Sequence, residues 1–282
     1  MEKEDGIRQF GISRYSDKHI AITSDDVVVE EPLEMVVEYG KIGSRARFTL
    51  AITMRTPGND ESLIRGFLLT EGIVETADDI IGCKTHSIDE PSGHQSITAE
   101  LSPDVVFSTE NQQRHFYTSS SCGVCGKTSI DMVRQVTSFR AIPGQPTISS
   151  AALHDMSSVM LNAQSLFKKT GGIHAAGLFD VQGNLLVIKE DIGRHNAVDK
   201  LIGVAMQKIK LPLNNHILLV SGRAGFELVQ KAAVSGIAFF AAVGAPSHLA
   251  IELAVESNMT LIGFLKGKGF NIYSAPERIA AT

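Results

Sequence analysis

No tryptophan occurs in this chain of 282 residues, and only three cysteines do. An odd and sparse set of thiols is poor material for a disulfide framework, which excludes the small disulfide-stapled class. Long hydrophobic runs are missing as well. The longest, GIAFFAAVGA from Gly236, has 10 residues before Pro246, whereas a bilayer span takes about 20. The opening MEKEDGIRQF is charged and has no apolar centre, so neither a secretory signal nor a membrane anchor is expected and the protein is read as cytoplasmic. A surplus of positive charge is also absent: 26 basic against 31 acidic residues give a net charge of -5. That argues against a protein built for non-specific nucleic-acid binding, while leaving room for a local basic site.

What is present is ample core material, with 43% hydrophobic and 20% charged residues. The length suggests about two domains at roughly 150 residues each. In the first half, VVVEEPLEMVVEYG and RFTLAITM are strand-like, and in the second Phe48, Leu50, Ile52 and Met54 alternate with Arg47, Thr49, Ala51 and Thr53. GNDESLIRGFLLTEGI predicts a helix capped by Asn59 or Asp60, and HQSITAEL a further strand. Residues 102–121 then turn polar and unpatterned, a long loop of the kind that is usually functional. AIPGQPTISS, with two prolines and a glycine, marks the boundary between domains at 1–145 and 146–282.

The second half is regular. A helix with Leu153, Met156, Met160, Ala163 and Phe167 on one stripe is closed by Gly171, and IHAAGLFD and LLVIKED flank a hairpin turn at VQGN. Thereafter helices alternate with strands that are almost wholly apolar. This predicts a largely parallel sheet covered by helices on both faces, with ligands at the carboxyl ends of its strands.

The chemistry centres on TSSSCGVCGKTS, residues 118–129. Gly126, Lys127 and Thr128 end as a phosphate loop should, but Ser121 stands where its first glycine belongs and no apolar strand precedes it. Cys83 and His86 form C-x-x-H, so with Cys122 and Cys125 a Cys₃His zinc site is conceivable, although nothing in the sequence brings the pairs together. The bland reading makes Cys83 a small buried hydrophobe and His86 a surface residue. At a helix start beside Lys127, the first thiol would be held as thiolate, which suits either a dithiol redox role or a sulfur carrier. The missing tryptophan counts against a thioredoxin-like unit, yet local chemistry alone does not separate redox from sulfur transfer.

Six motifs in order do. SSCGVCG at 120–126, GGIHAAGLFD at 171–180, EDIGRHNAVDK at 190–200, SGRAGFELVQKAA at 221–233, VGAPSHLAIELA at 243–254 and LIGFLKGKGFNIY at 261–273 resemble the formate dehydrogenase accessory sulfurtransferase family, FdhD. The resemblance implies an α/β fold with a smaller mixed α+β N-terminal domain and a C-terminal cytidine-deaminase-like three-layer α/β/α domain. It implies a sulfurtransferase that accepts sulfur from a cysteine desulfurase as a persulfide on Cys122, with Cys125 assisting or resolving. The sulfur would pass to the molybdenum (or tungsten) bis-molybdopterin guanine dinucleotide cofactor, a bound substrate, on behalf of formate dehydrogenase. The family's nucleotide contacts fall on Phe264, Leu265, Lys266, Gly267, Lys268 and Gly269, where glycines admit backbone amides to phosphate and lysines add charge. A homodimer and no intrinsic metal are implied too. Cytidine deaminases use H-x-E and P-C-x-x-C; here Ala176 stands where the glutamate would, and the only C-x-x-C lies upstream, so the scaffold would lack that zinc chemistry. Asp191, Arg194, His195, Asn196, Arg223, His174 and His248 are weaker candidates for a pocket, each with a plain structural reading beside it. The runner-up function is a zinc-stabilised chaperone that hands over the cofactor without covalent sulfur chemistry.

Overall fold

A computed structural model describes residues 6–87, 95–109, 139–267 and 269–280. The C-x-x-C segment, with Cys122, Cys125 and Lys127, and Lys268 lie outside the described residues.

The chain begins with a feature the sequence pattern did not announce. Strands β1 (Ile7–Ser16) and β2 (His19–Val28) form a two-stranded antiparallel ribbon turned through Asp17 and Lys18, both at positive φ. Next come β3 (Glu31–Tyr39), β4 (Ala46–Arg55), helix α1 (Asp60–Thr70), β5 (Ile80–Ser87) and β6 (Gln95–Leu101). The four strands make one sheet in the order β4-β3-β6-β5. The expected alternation in β4 holds only as far as Leu50. There the register against β3 slips by a residue, and a bulge of this kind reverses the faces of everything after it. Ile52 and Met54 consequently point outward, 69% and 47% exposed, while Arg55 turns in and is fully buried. Arg55 is neutralised there by Asp60 at 3.0 Å and Glu31 at 3.6 Å, and also donates to Gln95.

The second half contains β7 (Ile148–Ser149), α2 (Ser150–Ala163), α3 (Ser165–Thr170), β8 (His174–Asp180), β9 (Leu185–Asp191), α4 (Arg194–Lys208) and β10 (His216–Val220). It continues with α5 (Phe226–Val234), β11 (Phe239–Ala242), α6 (His248–Glu256), β12 (Thr260–Lys266), β13 (Gly269–Ser274) and β14 (Ile279–Ala280). The helix expected over 150–170 is two helices. Gln164 leaves the helical region at ψ 94, and the carboxylate of Glu190 accepts from the freed amides of Leu166 and Phe167 at 3.0 and 2.9 Å. Ser149 caps α2 through Ala152 N, and Gly171, at φ 66, ends α3.

Six strands form the main sheet, ordered β13-β12-β11-β10-β8-β9. Only β10/β11 and β11/β12 are parallel pairs; β8/β9, β8/β10 and β12/β13 are antiparallel. The sheet is therefore mixed rather than largely parallel, because the β8–β9 hairpin and the β12–β13 turn reverse direction without a crossover. Alternate residues divide its two faces. Ala175, Phe179, Ile217, Leu219, Phe239, Ala241 and Ile262 pack with Leu153, Met156 and Met160 of α2. Leu178, Leu218, Val220, Phe240 and Ala242 pack toward α4, α5 and α6 in a core that runs on into α1 and the four-stranded sheet.

That continuity depends on how closely α1 and α4 cross. A Cβ on Gly66 would stand 1.8 Å from Asp199 O, and one on Gly203 would stand 1.9 Å from Ser62 O. Backbone meets backbone here, and any side chain would push the helices apart.

Candidate functional site

The parallel strands β10, β11 and β12 end on the same side, and backbone hydrogen bonds carry the sheet past them into the turns. Gly244 N donates to Gly222 O at 2.9 Å, and Phe264 N donates to Gly244 O at 3.1 Å. Ala224 N to Ala245 O (3.1 Å) and Ser247 N to Ala224 O (3.0 Å) tie the next residues together. Glycine is required at these crossings: a Cβ on Gly244 would lie 3.0 Å from Gly222 O, and one on Gly263 would lie 2.9 Å from both Pro246 and Tyr273. The turns thus hold a fixed floor onto which α5 and α6 open.

Above that floor lies a cleft of about 310 Å³ lined by Arg194, Arg223, Ala224, Gly225, Ala245, Pro246 and Ser247. Three helices begin at it. Arg194 is the first residue of α4, Gly225 is the N-cap of α5, and Ser247 is the N-cap of α6, its hydroxyl accepting from Ala250 N at 3.3 Å. Each helix start offers free amides and the positive end of a dipole, and both arginines are exposed. The arrangement suits an anion, and phosphate groups above all.

Next to the cleft, His195 Nε2 of α4 lies 2.7 Å from Glu227 Oε2 of α5. The hydrogen bond from His195, with help from the same imidazole's charge, Lys231 and Arg194, holds the Glu227 carboxyl below its ordinary range. His174 at the start of β8 is half-buried; burial, then Arg194 and His195, push its imidazole toward the neutral form. His248 is exposed at the start of α6.

The 190–200 motif divides between two tasks. Asp191, Asn196, Asp199 and Lys200 are buried and structural. Lys200 Nζ lies 2.6 Å from Asp191 Oδ2 and donates to Thr56 O at 2.7 Å. Asp191 also accepts from Gly193 N, Asn196 Nδ2 and Thr56 N, and Asn196 donates to Met54 O. Lys231 lies 3.0 Å from both Asp199 and Glu71. Burial opposes its charge, but those two carboxylates outweigh it and hold the ammonium well above its ordinary range. Of this motif Arg194 alone lines the cleft, with His195 beside it, and Asn196 is buried and not a pocket residue.

Phe264 is tied through its amide to Gly244 O in the floor beneath the cleft, and Lys266, Gly267 and Gly269 follow at the end of β12 and the start of β13. Phe264 has φ 56 and is 48% exposed, and Lys266, Gly267 and Gly269 are exposed. Leu265 is fully buried in the core against α2, so only its backbone can meet a ligand.

Cys83 and His86 do not form half of a metal site. Three residues apart on β5, with no register break between them, they point to opposite faces: Cys83 packs partly buried against the core and His86 is exposed. Burial pushes the Cys83 thiol up to about 11, so it is not a thiolate at neutral pH. Among the described residues, no group of three or more His, Cys, Asp or Glu side chains could hold a metal ion, and no helix is long and apolar enough to cross a membrane. Ala176 is fully buried within β8.

The profile of the FdhD/NarQ family matches residues 28–280. The chain is 44% identical over 273 residues to a protein named Sulfur carrier protein FdhD from Streptomyces avermitilis, covering 95% of this chain and 94% of that one. It is 43% identical over 261 residues to the protein of that name from Mycobacterium tuberculosis (90% and 92% covered). Against the one from Picrophilus torridus it is 42% identical over 257 residues (91% and 92%). A crystal structure described as that of a formate dehydrogenase accessory protein from Desulfotalea psychrophila superposes with a TM-score of 0.71. That match has 22% identity and covers 98% of this chain and all of that one, a likeness of fold.

Proposed function

The chain belongs to the FdhD/NarQ family, and from that membership we propose that it is a sulfur carrier in the maturation of formate dehydrogenase. The observation that carries this reading is identity of 38–45% along nine-tenths or more of the chain with proteins named for sulfur carriage. The thiolate of Cys122 attacks the outer sulfur of a persulfide on a cysteine desulfurase. A new S–S bond forms, the desulfurase's thiolate leaves, and Cys122 is left as Cys–S–SH. Cys125 then supplies the two electrons for release: its thiolate attacks the inner sulfur of Cys122, a Cys122–Cys125 disulfide forms, and the terminal sulfur departs as hydrosulfide. A dithiol three residues apart suits that sequence, and Lys127 favours the attacking thiolate.

The sulfur's destination is the bis-molybdopterin guanine dinucleotide cofactor, bound as substrate. Residues 146–282 hold its nucleotide end, on a deaminase-like scaffold stripped of zinc chemistry, and residues 1–145 present the thiols. Two exposed arginines and three helix starts around one cleft support diphosphate binding by Arg194, Arg223 and the amides after Gly225 and Ser247. Phe264 and Lys266 at the end of β12 suit the guanine and a further phosphate charge. The family-implied nucleotide segment at 264–269 is thus one wall of a larger site, whose other wall comes from the starts of α4, α5 and α6. A homodimer working in the cytoplasm completes the reading.

The test is genetic. In cells lacking their own family member, the wild-type chain should restore formate dehydrogenase activity and Cys122→Ala should not, although the variant accumulates and binds guanosine diphosphate normally. Restoration by Cys122→Ala would sink the covalent mechanism. Loss of folding in that variant would instead favour a zinc-stabilised chaperone.

A further inference from the structure

The β1–β2 ribbon takes no part in the cores, the cleft or the buried ion pairs, and the family profile begins at residue 28, where the ribbon ends. Its root is tied to the rest of the chain. Val29 N donates to Gly6 O at 2.8 Å, Arg8 lies 3.2 Å from Glu31, and a Cβ on Gly6 would meet Thr56 at 3.2 Å and Leu166 of α3 at 3.6 Å. The outer half is bare. Ile20 and Ile22 alternate along β2 and Tyr15 stands opposite Ile20, so the three share one face. They are 72%, 91% and 69% exposed. A two-stranded hairpin by itself is marginal in water, and an apolar face of this kind marks a contact with another molecule.

The polar side chains of the ribbon are largely engaged within it. Arg14 lies 3.7 Å from Asp25, and Gln9 Nε2 donates to Asp26 Oδ1 at 3.4 Å. What the ribbon offers a partner is therefore its apolar tip. At about 3.3 Å per residue, its 10-residue strands carry that tip about 33 Å from the root. A second apolar patch stands at the root. Past the bulge, Ile52 and Met54 both point outward from β4, an edge strand of its sheet. Met54 is paired with Pro32, and only Val29 and Glu30 separate β2 from β3.

Resting on the homodimer reading above, we propose that two copies of the chain exchange ribbons about a twofold axis, the tip of each, with Tyr15, Ile20 and Ile22, seated on the Ile52–Met54 face of the other. One chain carries both halves of this contact, a tip and a patch at opposite ends of the same arm, as a self-complementary interface requires. Area selects the same occupant. A ribbon about 33 Å long and about 10 Å wide covers about 660 Å² with both surfaces counted, short of the roughly 1,000 Å² of a specific complex. Two exchanged arms reach about 1,300 Å², within the standard range. A different partner receiving one arm would gain only half of that.

Sedimentation velocity of the full chain over a range of concentrations tests this, together with photo-crosslinking from p-benzoylphenylalanine placed at position 22. The wild type should be a dimer, and the crosslink should join two copies and map to residues 50–55 of the second. Ile22→Glu and Ile52→Glu should each raise the dimer dissociation constant roughly 100-fold or more, because each change enters a twofold interface twice. Both side chains are exposed, so the separated chains should keep the wild-type circular dichroism spectrum. A dimer undiminished in both variants, or a crosslink confined to one copy, overturns the ribbon exchange and leaves the homodimer reading standing. A wild type that stays monomeric overturns both. Binding of that monomer to phosphatidylcholine vesicles, lost in Ile22→Glu, would then assign the tip to a lipid surface instead.

Discussion

The ammonium of Lys200 and the carboxylate of Asp191 stand 2.6 Å apart with both side chains all but sealed from water, and both also bind the backbone of Thr56. The pair joins the start of α4, which carries Arg194 and His195, to the end of β4. Replacing one partner strands the other charge in the interior, which typically costs about 3–5 kcal/mol. Lys200→Met should therefore lower the urea midpoint sharply. A double replacement by apolar residues should recover part of the loss. An unchanged midpoint in the single variant would show that the Asp191 amide contacts suffice alone.

Gly66→Ala and Gly203→Ala should each destabilise, against the usual gain of about 1 kcal/mol for alanine in a helix. The added methyl meets a carbonyl oxygen at less than 2 Å on the facing helix, and rigid backbone has no rotamer to give. Overpacking of this kind costs about 1–3 kcal/mol or more. Thermal denaturation of the two variants decides it, and a raised midpoint in either would contradict the crossing geometry.

Arg194→Ala and Arg223→Ala should fold normally, since both side chains are exposed, and should weaken pyrophosphate binding. Hydrogen bonds to a charged partner are worth about 1.5–3 kcal/mol, or roughly 10-fold to 150-fold in affinity. The binding should also weaken with added salt. Titration calorimetry checks both, and insensitivity to salt would argue against a phosphate contact.

Acid stability follows the histidines. Burial is the main cause that lowers the imidazole pKa of His174 and of His216, whose buried Nδ1 has no hydrogen-bond partner among the described residues. With folded values below the unfolded one, the unfolded chain binds more protons in that window. Stability is fully present above the ordinary histidine value near 6.5 and is lost as pH falls through the lower folded values. His216→Gln should flatten the decline that sets in as pH falls below the ordinary histidine value, followed by urea denaturation at each pH. An equally steep decline in the variant would exclude His216 as a cause.

Much of this fold was legible in the chain. The apolar runs HILLV, FFAA and TLIGFL could only be buried strands, and Leu153, Met156 and Met160 marked the inner side of α2. The β1–β2 ribbon was not, because its strands mix Arg8, Gln9, Asp25 and Asp26 with scattered Phe10, Ile20 and Ile22 and so show no buried face. The reversal in β4 was hidden for a different reason: a bulge is set by pairing with β3, which local alternation does not encode. Of the site, the motif at 264–269 was visible as a glycine-rich turn beside a strand end. The cleft's arginines were seen only as isolated candidates, since Arg194 and Arg223 lie 29 positions apart and meet through the order of β8, β10 and β11. Gly66 and Gly203 carry a signal readable from the sequence: a glycine inside a helical pattern costs stability unless another backbone needs the space.

The central claim is that sulfur travels on Cys122. The most direct measurement is a native mass spectrum of the full chain after incubation with a cysteine desulfurase and cysteine, followed by peptide mapping. A gain of about 32 Da on the Cys122 peptide, removed by reductant and absent in Cys122→Ala, is the result this account predicts. A gain of about 63 Da removed by chelator, with no sulfur adduct on any cysteine, would contradict it and make zinc the role of these thiols.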